Sequence, residues 1–239
     1  GSRGLGDVYK RQDEWREIAV NRGKLGIFTF LEESEVFQIK DRPVLHNCMG
    51  VSKGKQLENG KEILRLVMNL DITNQILQTV LADIRSLPYP GQWNAVTVED
   101  DMVMFHSQTD LSCAYYCFSL EEEWHKFFAF NGNLTGEDVK VTHPHLAQAK
   151  RVYACSAVLC MGFTSASGLM QYAHNMMALS PPPTGLDLSI QRQMRTDRPV
   201  PSTMRCPSKT GDLLWEIFQD NFDMSEIVPI GEALELIGT

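Results

Sequence analysis

A chain of 239 residues with 43% hydrophobic and 22% charged residues is globular in composition, and holds enough apolar material for one large domain or two closely packed subdomains. No apolar run approaches the ~20 residues of a membrane-spanning helix, and no apolar segment follows the N-terminus as in a secretory signal, so no membrane partner is expected. The formal charge of −8 argues against a nucleic-acid binder by net charge alone, yet leaves room for a local basic track beside acids at a metal site.

The six cysteines (Cys48, Cys113, Cys117, Cys155, Cys160, Cys206) form neither a C-x-x-C pair nor a zinc-spaced cluster. Several lie in apolar runs, so buried thiols of a reducing compartment are expected, and an intracellular location, cytoplasm or nucleus. Residues 1–12, GSRGLGDVYKRQ, are polar and without periodicity. They resemble a translated sequencing-adaptor tail, and the expectation is that they take no part in the fold and that the chain was cut from a longer gene.

Asp13–Arg22 reads as a short helix with Trp15, Ile18 and Ala19 on one side. His46–Leu70 reads as a β-hairpin with arms Cys48–Val51 and Ile63–Leu70. Between them the loop SKGKQLENGKE carries Lys53, Lys55 and Lys61. It is either a solvated tip or a cationic flap in which Lys53 and Arg65 meet an anion. Asn74–Ile84 has a helical stripe, Ile76, Leu77, Val80, Leu81 and Ile84, expected in the core. LPYPGQW, Leu87–Trp93, is a turn, and Val96–Phe105 is extended and leads to Asp110.

Taken alone, Asp110 reads as a turn residue or as the N-cap of a short helix Leu111–Phe118. Held at the rim of a sheet, the same carboxylate suits a metal. Glu121–Glu123 should be a solvated face, Phe127–Phe130 a core strand and Val152–Met161 a buried strand. A turn at Gly162 then leads to a helix Ala166–Leu179 that begins with small residues. Ser180–Gly211, with Arg192, Arg195, Arg198, Arg205 and Lys209, reads as a basic flexible insertion, either solvated or tracking a nucleic-acid backbone. Leu213–Phe218 is an apolar strand ending at Asp220-Asn221, with Asp223 beyond, and Met224–Thr239 a short apolar tail.

Strand–acid–aromatic, strand–turn–small-residue helix and strand–acid turn, in that order, resemble the fingers and palm of a retroelement reverse transcriptase between about Val44 and Ile227. GVSK (Gly50–Lys53) and RLVMNLDITN (Arg65–Asn74) resemble the fingers. Asp110-Leu-Ser-Cys-Ala-Tyr115 resembles the first catalytic motif, D-x-x-x-x-[FY]. CMGFTSASGLMQ (Cys160–Gln171) resembles the template-gripping motif, and FQDN (Phe218–Asn221) stands where the family has Y-x-D-D. Asn221 departs from the pattern, since it donates an oxygen without charge, and Asp223 could supply the missing acid. Met161 stands where the family often has Gln, and Asn69 and Asp71 replace an acid and a base.

The resemblance implies an α+β fold: an antiparallel palm sheet backed by helices, with a β-hairpin fingers subdomain, in a right-hand polymerase that lacks its thumb. Residues 13–109 would be mainly fingers and 110–239 mainly palm, with 119–160 partly fingers. It implies transfer of a deoxynucleotide from dNTP to a primer 3′-hydroxyl on an RNA or DNA template, with two Mg²⁺ (or Mn²⁺) about 3.5–4 Å apart. Asp110, Asp220 and Asn221 would be catalytic, with Asp110, Asp220 and the Leu111 carbonyl on the metals. Lys53, Arg65, Tyr115, Gly162 and Gln171 would bind substrate, Tyr115 beneath the sugar and Gly162 beside the template. The implied partners include the missing thumb and ribonuclease H or integrase/recombinase segments of a polyprotein. Two other readings stand beside it: a degenerate retroelement remnant that binds nucleic acid without catalysis, and an unrelated α+β interaction domain.

Overall fold

The computed structural model describes residues 12–56, 58, 60, 62–201 and 212–237. The tail through residue 11, Lys61 of the hairpin loop, and the part of the basic insertion holding Arg205, Cys206 and Lys209 lie outside the described residues. In chain order the helices are α1 (Gln12–Lys24), α2 (Asp71–Ile76), α3 (Glu122–His125), α4 (Gly136–Val139), α5 (Ala166–Leu179) and α6 (Ile230–Ile237). The strands are β1 (Phe28–Glu32), β2 (Gln38–Ile39), β3 (Arg42–Pro43), β4 (Asn47–Gln56), β5 (Glu62–Asn69), β6 (Met102–Asp110), β7 (Val152–Ser156), β8 (Asp212–Phe218) and β9 (Asn221–Pro229). The protein is α+β, with small antiparallel sheets ordered β1-β7, β2-β3, β4-β5 and β6-β9-β8. No helix among the described residues is long and apolar enough to cross a membrane.

The chain divides into two compact units. One takes the described residues through Thr79 together with Tyr115–Ala166; the other takes Val80–Ala114 and the chain from Ser167 onward. The expected division between 109 and 110 differs from this, because β6 is zipped along its whole length to β9, from Met102↔Pro229 to Asp110↔Asn221. Ladder hydrogen bonds therefore carry Val80–Ala114 into the second unit.

The first unit is organised by β7, VYACS, in which every residue is buried. Its antiparallel partner β1 alternates, burying Phe28 and Phe30. Phe28 and Phe130 stack with ring centroids 5.1 Å apart, and Phe128 packs edge-on to Phe163 at 5.4 Å. Phe128, Phe130 and Tyr153 are fully enclosed, so truncating Phe128 to Ala would cost about 3–5 kcal/mol. The Phe127–Phe130 run, expected as a strand, is instead a 3₁₀ turn (Lys126–Phe128) followed by single bridges Ala129–Cys155 and His46–Phe130. Buried Cys155 and Cys160 have thiols pushed up by burial, as inert core thiols should. Cys48 is half-buried, whereas Cys113 and Cys117 are exposed, because their short turn lies at the surface rather than in an apolar run.

The hairpin β4–β5 forms in the expected place, with longer arms. Lys53 and Lys55 lie within β4 rather than in the loop, and the ladder is irregular between Ser52 and Gln56, where Gly54 has φ 66°. The expected helix Asn74–Ile84 is not continuous: α2 stops at Ile76 and Leu77 is extended. Its start is held from afar, since Thr73 Oγ1 donates to the Phe127 carbonyl (2.7 Å) and the Asn74 amide bonds Gly162 O and Thr164 N (both 2.9 Å). The β-branched pair Thr79-Val80 then gives little support for further turns. Ile76, Val80 and Leu81 are exposed, contrary to the expected core stripe.

In the second unit β9 is the central strand, so of the residues expected as an apolar tail, Met224–Ile227 pair on both sides and Val228 and Pro229 with β6. Leu179 and Ala178 of α5 pack against Trp215, Ile217, Phe222 and Met224 on one face of this sheet. Within the basic stretch after α5, read as either solvated or tracking a nucleic-acid backbone, Arg198 is exposed while Arg195 is enclosed. Arg195 is 7% exposed, forked onto Asp197 (Nε and Nη2, both 2.8 Å), with Nη2 also on Asp83 at 3.2 Å. A guanidinium enclosed in this way requires carboxylates around it, and the Arg195 hydrogen bonds hold the Asp197 carboxyl below its ordinary range.

Candidate active site

β6 runs without a break to Asp110, which is the last residue of its ladder rather than a helix cap. Opposite it, Phe218 and Asn221 close the β8–β9 hairpin over the two-residue turn Gln219-Asp220. Asp110 pairs with Asn221, and the Leu111 N–H donates to the Asp220 carbonyl at 2.9 Å. Backbone pairing thus sets both aspartates at one end of one sheet, on neighbouring chain segments. Cross-strand pairs of this kind stand about 4.5–5.5 Å apart at Cα. Asp110 is exposed and Asp220 half-buried, so both carboxylates remain open to solvent on part of their surface.

The turn is clamped from α5. Gln171 accepts from Gln219 N–H through Oε1 (2.8 Å) and donates through Nε2 to the Ile217 carbonyl (2.8 Å) and to Ser86 Oγ (3.1 Å). One helical turn later, His174 Nδ1 donates to the Gln219 carbonyl (2.9 Å). Gln219 itself has φ 57°, a left-handed backbone that a non-glycine residue keeps only where its surroundings fix it. Gln171 was expected on substrate; it is instead fully buried, with its amide spent on the turn, so it is a positioning residue. Asp223 was expected to make up for Asn221. It sits two pairs further down the sheet, 9% exposed, opposite Glu216, because the register places it beside Glu216 rather than at the turn.

The remaining expected substrate residues belong to the first unit. Lys53 and Arg65 are exposed on β4 and β5, where Arg65 pairs with Val51, two residues from Lys53. Tyr115 is half-buried in the 3₁₀ turn Ala114–Cys117. Gly162 has φ 110°, and a Cβ there would stand 2.4 Å from the Met68 carbonyl, so the space expected for a template is taken by backbone. That close approach, together with the Asn74 bond to Gly162 O, is the physical reason for glycine.

Among the described residues no group of three or more His, Cys, Asp or Glu could hold a metal ion. The register brings to one sheet end residues that carry hard oxygens: two aspartates, Asn221 and the Leu111 carbonyl, which accepts from Ala114 N–H at 3.2 Å. Hard oxygens are the donors that Mg²⁺ and Mn²⁺ take, with water and phosphate completing their shell. His174, Trp93 and Glu216 escaped the sequence reading. Only Glu216 left a signal, as the one charge inside LLWEIF. No protein-family model matches the chain, and no curated protein matches it significantly.

Proposed function

We propose that the chain is the fingers-and-palm part of a retroelement RNA-directed DNA polymerase, with the second unit as its palm and the hairpin β4–β5 as part of its fingers. The observation that carries this reading is the register that pairs Asp110 with Asn221 and bonds Leu111 N–H to Asp220 O. An unrelated interaction domain would have no reason to set these two acids at one sheet end.

In this reading Asp110 and Asp220, with the Leu111 carbonyl, would hold two divalent ions, Mg²⁺ or Mn²⁺, which would supply positive charge to the attacking oxygen and the triphosphate. The primer 3′-oxygen bonds the α-phosphorus, its proton leaves to solvent, and pyrophosphate departs. The ladder and the Gln171–His174 clamp fix the aspartates before substrate arrives, which is where a positioned carboxylate gains over a mobile one.

Primer extension on an RNA template, with the chain and with a longer chain that supplies a thumb, tests the proposal. Asp110→Asn and Asp220→Asn should each lower extension about 100-fold or more; an Asp110→Asn protein that still polymerises sinks the assignment. A remnant that binds nucleic acid without catalysis is the second reading, favoured by the uncharged Asn221. Template–primer binding without extension in either Mg²⁺ or Mn²⁺ would select it.

A further inference from the structure

The sheet face opposite α5 carries the Asp110–Asn221 pair at one end, and beside that pair it holds groups that the polymerase reading leaves unused. Strand alternation turns Trp215, Ile217, Phe222 and Met224 toward the helix and Glu216, Asp223 and Gln108 away from it. An open cavity of about 520 Å³ lies over that second row. Its walls include Trp93, Val98, Met104, Phe218 and Asn221, and among the described residues no lysine or arginine lines it.

Its floor is acidic. Glu216 and Asp223 are cross-strand partners on this face, so two carboxyls stand side by side, and Trp93 Nε1 donates to Glu216 Oε2 at 3.2 Å. Asp223 is 9% exposed, and its Oδ1 is enclosed without a hydrogen-bond donor. Of the other titratable groups on this face, Asp110 stands at its far end, and His106 is engaged with Ser225 Oγ (2.8 Å) and meets Trp93 edge-on at 6.1 Å. An enclosed carboxylate oxygen that lacks a donor, at the bottom of an aromatic cavity, is half of an ion pair.

We propose that this cavity binds a small organic cation, an arylamidinium or arylalkylammonium, whose N–H groups meet Asp223 and Glu216 and whose ring lies against Trp93 and Phe218. A planar amidinium offers two parallel N–H groups to a carboxylate. The indole and phenyl faces attract the cation and bury its apolar body. A hydrated metal ion would gain nothing from such walls. The inference is independent of nucleotidyl transfer, so either can fail without the other.

The test is ligand-observed NMR with the 239-residue chain and benzamidine, without nucleotide or Mg²⁺. Benzamidine should bind with Kd on the order of 1 mM, as expected for so few heavy atoms. Its neutral isostere benzamide should bind at least about tenfold more weakly, from loss of the charge-assisted pair. The double variant E216Q/D223N should lose about tenfold as well, and so should V98W, which fills the cavity and keeps both acids. Should the double variant fail to fold by circular dichroism, V98W and benzamide decide. Benzamide binding as well as benzamidine, unchanged affinity in V98W or in a folded E216Q/D223N protein, or no benzamidine binding up to about 20 mM would each overturn the proposal.

Discussion

Asn221 faces Asp110 directly across the ladder, where the reverse-transcriptase pattern has a second acid. Asn221→Asp would put two like charges in a cross-strand pair, which destabilises by up to about 1 kcal/mol. A divalent ion would reverse that penalty. The expected outcome is a Tm below wild type without metal and a gain with millimolar Mg²⁺ that wild type does not match; equal responses of the two proteins would count against a metal at this position. Glu216 gives a separate, pH-dependent prediction. Burial, reinforced by the neighbouring Asp223 carboxylate, pushes its carboxyl from 4.5 up to about 7, against the indole N–H bond that favours the charged form. The folded state therefore keeps a proton that the unfolded chain loses above pH 4.5. Stability from this group is full below about 4.5, falls as pH rises toward 7, and is gone above it. Glu216→Gln keeps the hydrogen bonds without the titration. Thermal melts should show it more stable than wild type at pH 8, by roughly the 2–4 °C that 1 kcal/mol gives a chain of this size, with the gap closing toward pH 5.

Among the elements, α5 is the one whose side chains decide whether the acid-bearing turn holds its shape. Gln171→Ala would remove the Gln171 partner of the Gln219 N–H and of the Ile217 carbonyl, while Ser86 Oγ keeps its bond from Asn175 (3.0 Å). Urea denaturation should show a loss of roughly 2–4 kcal/mol, since buried groups left unpaired cost about 1–3 each. A Gln171→Ala protein as stable as wild type would mean that the clamp is not formed. The helix itself was legible residue for residue, Ala166–Leu179, because a turn at Gly162 starts it and Ser180-Pro181 ends it. The β4–β5 hairpin and the first half of the strand expected at Val152–Met161 were legible for a similar reason, local apolar pattern and turn chemistry, although β7 stops at Ser156. The Asn74–Ile84 stripe misled because its helical spacing is real while the partners of Thr73 and Asn74 lie far along the chain. Gln171 misled for the converse reason, since nothing local tells a buried amide from one facing a ligand.

At the scale of the whole molecule, neither unit is contiguous in sequence. Asp110 and the Asp220-Asn221 turn could be nominated from the strand–acid pattern, but their pairing is a long-range register that composition does not carry. The interleaving also fixes where the chain can be cut. A fragment beginning at Asp110, the boundary that motif order suggests, discards β6 up to its last residue and opens one edge of β9. Its sheet should lose cooperative unfolding and expose apolar surface to dye. Joining Val80–Ala114 to the chain from Ser167 through a short linker keeps all three strands and should restore a cooperative melt. If the Asp110 fragment melts as sharply as the joined one, β6 is not integral to that sheet.

The pairing of β1 with β7 has a consequence for the chain during its own synthesis. Phe28 and Ser156 are register partners more than a hundred residues apart. At about 5–20 residues per second, β1 waits on the order of ten seconds on the ribosome before its neighbour emerges. Through that interval Phe28 and Phe30 have no core to enter, and the FTFLE backbone has no ladder. A nascent-chain holdase that covers this one strand should therefore raise the soluble yield more than any substitution in the mature fold.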